Sequence, residues 1–383
     1  MSAPSSIAPV SAPAKKVRLL SIDALRGFDM FWILGAEGVF AALFIITGFS
    51  WFNVAAEQML HSQWHGFTFY DLIFPLFILL SGVSLGLAAK PISAFSDEVK
   101  REKYKHAFKR LVLLFALGIL YNHGWGTGIP ADIDGIRYVS VLGRIGLAWF
   151  IAAMVVWHFR LKIQIYLTAG LFVIYSLLLL FAGVGEFGFG EFGTELSLNA
   201  WVDQHFLPGI RYQNLAVDPE GILSNLGSII NCLVGVFIGR LMIQYKEFGN
   251  KLTLILLVIG VLCVSLGWLL NGVLPVNKTL WTPTFVLVTS GWSVLFLAAF
   301  YYLIDVLKWQ GWAKPFAIIG MNSIIIYLAT SLVNWQYLVQ SLFGGLLATL
   351  SEGWLQLWTM VALLLVQWLL LVWMYKHKIF VKV

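Results

Sequence analysis

The segment HSQWHGFTFYDLIFP, residues 61–75, places His61, Trp64, His65 and Asp71 where one apolar run ends and the next begins. Ionisable groups beside a bilayer must be solvated, paired or used. Imidazole is the side chain best suited to moving protons near neutral pH. Proton transfer or nucleophilic chemistry at the mouth of a helix is therefore the first reading, with a satisfied interfacial histidine as the plainer one. His61 and His65 lie four apart, on one face if their segment is helical. That spacing also suits a metal, but HSQWH lacks the glutamate of an HExxH site. The two cysteines, Cys232 and Cys263, fall inside apolar runs, so no metal is expected. Asp71 is expected to orient a neighbour or to pair with an arginine, Arg144 being the candidate.

Further polar residues stand where a membrane helix has no cheap use for them. Asp23, Arg26 and Asp29 in SIDALRGFDMFW share one helical face, either as a helix-entry cap or as a basic lip for an anionic cofactor. Glu37, in ILGAEGVF, is costly unless paired or wetted, and is read as a catalytic or substrate-binding carboxylate. Arg144, in VLGRIGLAW, is expected deep in a span, needing a carboxylate, backbone carbonyls or an anionic ligand. DPEGILSNLGSI, from Asp218, reads as a capped helix start whose acids, Asp218 and Glu220, suit the helix dipole. Asn322, in GMNSIIIY, fits helix–helix hydrogen bonding as well as a binding role. No P-loop is present, and the GxSxG string at 82–86 and the GxGxxG strings at 183–188 and 188–193 lack the strand–turn–helix setting those signatures need.

The elements that must carry these residues are membrane helices. Of 383 residues, 60% are hydrophobic and only 11% charged, against about a quarter charged in soluble domains. Apolar runs near 20 residues imply an all-α integral membrane protein, a bundle of about ten transmembrane helices. They are expected near 28–49, a second returning to Ala89, 111–129, 139–157, 164–182, 221–241, 252–274, 284–305, 316–335 and 355–375. All Lys and Arg except Arg137, Arg144, Arg211 and Lys278 then fall on one side. That asymmetry puts both termini in the cytoplasm and the His61 loop on the opposite face. The +6 charge thus reports topology, and no nucleic-acid partner is expected. Residues 1–17, rich in Ala, Ser and Pro, read as a disordered cytoplasmic tail, and 18–383 as a single transmembrane domain. The Gly- and Phe-rich GVGEFGFGEFG connection reads as an ordered cap lying on the lipid bilayer.

The segments SIDALRGFDM, HSQWHGFTFYDLIFP, VLGRIGL, DPEGILSNLGSI, NKTLW and GMNSIIIY occur in this order across about residues 18–375. In this the chain resembles the transmembrane domain of the heparan-α-glucosaminide N-acetyltransferase family and its bacterial NagX-like relatives. The resemblance implies an acyltransferase that moves an acetyl group from cytosolic acetyl-CoA to the amine of a glucosamine-type sugar on the opposite face. The implied location is a bacterial inner membrane, and a homodimer is the implied assembly. The family's catalytic histidine falls on His61. His65 stands where the animal enzyme carries Asn, and Glu37 where the family has a supporting Asn, which makes Glu37 a possible base. The loop between Glu37 and His61 is longer here, and no counterpart of the family's large luminal N-terminal domain is expected in this sequence. Trp64, His65, Asp71, Asp218 and Glu220 are the expected substrate-binding residues; Arg26, Arg144 and Asn322 are those expected for acetyl-CoA. His61 acts either as a base for direct transfer or as an acyl carrier. Two other readings remain, an amino-sugar transporter and an O-acetyltransferase of envelope glycans. A transporter would often show repeats with broken helices in both halves, and none is evident in the sequence.

Overall fold

The computed structural model describes residues 19–123 and 132–381. The expected tail at 1–17, and the start of the GIPADIDGIRY turn, lie outside the described residues. Among the described residues the chain is mostly helical, with one short ribbon, β1 (Gly183–Val184) against β2 (Phe187–Gly188). Among the described residues, seven helices are long and apolar enough to cross a membrane, or up to nine if each of two bent pairs counts as one span.

The His61 loop feeds α4 (Phe69–Leu87), which is the centre of the bundle. Leu72, Leu76, Leu79 and Leu80 bury their side chains against Ile238 and Met242 of α9 (Asn225–Gln244) and Leu297 of α11 (Pro283–Tyr301). Lipid is as apolar as leucine, so close helix pairing needs small residues that admit backbone contact. Gly82 supplies this between α4 and α9: a Cβ there would stand 2.0 Å from the Cys232 carbonyl oxygen. α6 (Val141–His158) and α7 (Leu161–Phe181) complete this side, with Ser140 accepting the Gly143 amide at 3.0 Å as the cap of α6.

The expected first span is instead two helices. α1 (Leu20–Ile33) ends at Gly35, whose φ of 118° only glycine adopts without strain. A short turn at Ala36–Gly38 and α2 (Val39–Thr47) follow, bent by 69° from α1. α12 (Ala313–Met321) and α13 (Ser323–Leu332) are likewise bent by 71° at Asn322. The two broken pairs meet, because Gly27 of α1 packs so tightly on α12 that a Cβ would fall 1.7 Å from the Phe316 carbonyl oxygen. Broken helices in both halves are thus a feature that hydropathy did not reveal, since each run stays apolar through its bend.

The remaining elements are α3 (Ser50–Glu57) before the His61 loop, α5 (Asp97–His123), α8 (Leu198–Phe206) in the 182–219 connection, α10 (Gly249–Leu269), α14 (Trp335–Leu347) and α15 (Glu352–Lys376). Two expectations shift. The span placed at 111–129 begins as α5 at Asp97, because the cation-rich stretch before it continues the helix. The span placed at 221 begins at Asn225, since Asp218–Ser224 form turns instead.

Candidate active site around His61

Residues 61–68 are extended and bent rather than helical, so His61 and His65 do not share a helix face. What fixes His61 is Asp71, the third residue of α4. Its Oδ2 accepts the Thr68 backbone amide at 3.2 Å, the capping arrangement expected when an acidic residue follows Thr by three. The same oxygen accepts the Ser62 amide at 3.2 Å, folding the loop back over the helix start. Oδ1 then faces the imidazole, 2.9 Å from His61 Nδ1. A carboxylate can only accept, so Nδ1 carries the proton and Nε2 presents its lone pair. Asp71 is fully buried, whereas the His61 side chain is 53% exposed, so the carboxylate is shielded and the imidazole is accessible.

The cation beside this pair is Lys278, not Arg144 as expected. Its Nζ lies 3.3 Å from Asp71 Oδ1, 2.9 Å from His61 Nδ1 and 3.2 Å from His61 Nε2. Burial pushes the Lys278 ammonium below the ordinary lysine range, and Asp71 pulls it partly back. Neighbouring Asn277 docks the two loops: its side-chain amide donates to the Trp64 carbonyl at 2.9 Å and approaches His65 Nδ1 at 3.3 Å. Burial holds His65 below the ordinary imidazole range. Trp64 donates its indole N–H to the Phe192 carbonyl at 2.7 Å, pinning the 182–219 connection over the loop.

Tyr70 lies behind the imidazole, its ring 4.8 Å from that of His61. Glu37 and Asp29 are within electrostatic range of Tyr70. Glu37 sits in the turn between the halves of the broken first span, with Oε2 buried and no hydrogen-bond partner among the described residues. A second polar cluster borders the first. Arg137 forks onto Asp218, with Nε 2.9 Å from Oδ2, and also binds Glu220. Asp218 therefore does not cap a helix; it accepts the Tyr212 and Glu220 amides at 2.7 and 2.9 Å and holds a turn. Glu220 and Arg144 lie within electrostatic range of Lys278. Arg144 occupies the first turn of α6 rather than a deep position. It donates to the Ser224 hydroxyl, and its guanidinium stacks 4.7 Å from the Trp281 ring.

The structure thus gathers His61, Asp71, Trp64 and His65, sets Asp218 and Glu220 alongside, and leaves Glu37 near Tyr70. It does not bring the three expected acetyl-CoA residues together. Arg26 is held by Asp23 at 3.6 Å and by Ser84 at 3.4 Å. Asn322 uses both ends of its amide on the C-terminal segment, donating to the Ile379 carbonyl at 2.9 Å and accepting the Val381 amide at 3.2 Å. Lys278 was the residue missed. Its signal was present, since it is the one lysine among the four cations expected away from the basic side and stands in NKTLW. Among the described residues no group of three or more His, Cys, Asp or Glu is placed to hold a metal ion.

No family model matches the chain. It is 26% identical to the heparan-alpha-glucosaminide N-acetyltransferase of Homo sapiens over 362 residues, 81% of this chain and 52% of that protein. With the Mus musculus protein of the same name it is 25% identical over 387 residues, 86% of this chain and 56% of the relative. The chain therefore spans about half the length of the curated relatives it matches. On these two matches, the chain is a relative of the heparan-α-glucosaminide N-acetyltransferases.

Proposed function

We propose that this protein is a transmembrane N-acetyltransferase that moves an acetyl group from acetyl-CoA to the amine of a glucosamine-type sugar, with His61 as the reacting base. The observation that carries this reading is the 2.9 Å contact between His61 Nδ1 and buried Asp71, which leaves Nε2 as the basic nitrogen, with Lys278 Nζ 3.2 Å from it. An amine attacks a thioester only when it sheds a proton. Nε2 takes that proton as the new C–N bond forms, the C–S bond breaks, and the thiolate leaves to be reprotonated. The Lys278 ammonium stands beside Nε2, where it stabilises the carbonyl oxygen as it gathers negative charge. Trp64, His65, Asp218 and Glu220 wall the acceptor side, and Glu37 serves as a second carboxylate behind Tyr70. Arg26 is the proposed contact for the donor's phosphates, whereas Arg144 and Asn322 hold the bundle together. In this reading both termini face the cytoplasm, and the His61 loop faces away from it.

The test is incubation of purified protein with labelled acetyl-CoA and glucosamine, beside a His61→Ala variant. Acetylated sugar from the wild type alone supports the reading. Label trapped on the protein before sugar is added would replace the base role with acyl-carrier chemistry. A second reading, amino-sugar transport, draws support from the two broken helix pairs that pack together. Glucosamine uptake by proteoliposomes without any acetyl transfer would establish it and sink the first.

A further inference from the structure

At the other end of α4 the structure holds a second polar site. Nineteen residues of α4, about 28 Å of helix, separate the His61 loop from this end. The turn at Ile92–Ala94 follows, opposite the tight junction between α6 and α7. Between them lies a pocket of about 510 Å³, lined by Pro91–Ser93, by residues 156–161 and by Arg240 of α9. Its volume is in the range of small-molecule sites.

The chemistry of the lining is one-sided. Arg240 and Arg160 both face the pocket, and no Asp or Glu lines it. Arg240 Nε is buried and has no hydrogen-bond partner among the described residues. A buried donor left unpaired costs about 1–3 kcal/mol, and more when charged. Arg160 is the N-terminal flanking residue of α7, so the unpaired amides of that helix's first turn open on the same side. Nearby, Gln164 ties the junction rigid by donating to the Phe159 carbonyl at 2.6 Å. His158 is held at 2.9 Å by the Tyr104 hydroxyl and so forms a fixed wall. Two guanidiniums, helix amides and the Ser93 hydroxyl are the donor set that phosphate oxygens take.

We propose that this pocket binds a phosphate-bearing ligand, as a phosphate monoester or a diphosphate. The phosphate comes either from a soluble molecule or from a phospholipid headgroup at the membrane surface. Binding here requires nothing of His61 and stands whether or not acetyl transfer occurs.

The full chain in detergent is titrated with inorganic pyrophosphate by calorimetry. In parallel, the protein is melted in nanodiscs of phosphatidylcholine with and without phosphatidylglycerol. Pyrophosphate should bind, and Arg240→Gln should weaken it about tenfold, as should Arg160→Gln, which alters only an exposed side chain. Lys314→Gln, removing a surface cation outside the pocket, should leave binding unchanged. If pyrophosphate does not bind but phosphatidylglycerol raises the melting temperature, and Arg160→Gln abolishes that rise, the phosphate is a lipid's. The proposal is overturned if neither probe binds, if both arginine variants bind as the wild type does, or if Lys314→Gln weakens binding as much.

Discussion

Replacing Asp71 by Asn isolates what the buried carboxylate does for His61. The shapes match, so packing at the start of α4 survives, but one oxygen becomes an NH₂. Two backbone amides, of Ser62 and Thr68, point at Oδ2 at 3.2 Å, and these require an acceptor. The Asn oxygen must therefore stay there, and its NH₂ must take the Oδ1 position against His61. Nδ1 then becomes the acceptor, and the imidazole proton moves to Nε2, which loses its basicity. Positioned base catalysis contributes about 10²–10⁴-fold, so kcat for acetyl transfer should fall by that range. KM should change little, because Asp71 is fully buried behind the imidazole. The cap keeps its acceptor, but the Lys278 ammonium loses its carboxylate partner at 3.3 Å, so stability should fall by up to about 3–5 kcal/mol. Initial rates of labelled acetyl transfer measure the effect, with Asp71→Asn, His61→Ala and the double variant compared. Residues acting as one unit are non-additive, so the double variant should be no slower than His61→Ala. A variant within twofold of wild type would refute the reasoning, as would losses that multiply in the double variant.

Other outcomes follow from the same contacts. Lys278→Met should lower kcat about a hundredfold, the scale of losing one donor to a developing oxyanion; full activity would reject that role. Burial pushes the Asp203 carboxyl up to about 6, although the Asp218 and Ile222 amides bind it. Because the folded value exceeds the unfolded one, Asp203 contributes about 3 kcal/mol that is present below about pH 4 and lost as pH rises through 6. Melting curves from pH 4 to 7 should show the wild type's advantage over Asp203→Asn shrinking with pH, and parallel curves would contradict this. Gly27→Ala should cost about 3 kcal/mol or more, since the Cβ meets backbone that cannot rotate aside. Gly170→Ala, with nothing within 4 Å of the new methyl, should instead raise the melting temperature slightly; equal effects would show that the α1–α12 contact is looser than described.

Part of the candidate site was legible in the chain because its signals are local. Thr68 followed three residues later by Asp71 marks a helix cap, and that cap determines where the carboxylate points. The grouping of His61, Trp64 and His65 in one loop follows from sequence proximity. The membrane character and the alternation of basic and non-basic connections are likewise properties of composition along the chain. Lys278 was not legible as a partner because 217 residues separate it from His61. Only the docking of Asn277 onto the Trp64 carbonyl brings it there. The pairing of Arg137 with Asp218 and Glu220 also crosses more than 80 residues.

The bends at Gly35 and Asn322 escaped the sequence for a different reason. A soluble helix betrays its buried face by an apolar stripe, but lipid and protein interior are equally apolar. Hydropathy therefore counts the runs without showing which face meets which neighbour, or where a run breaks. By itself the sequence determined that this is a helical membrane protein with a polar histidine loop at one helix mouth. Tertiary structure alone decided that a lysine completes that site, that Arg144 and Asn322 bind other parts of the bundle, and that two arginines share a pocket at the far end of α4. Those are contacts between distant segments, selected by close packing at small residues rather than by any pattern within one helix.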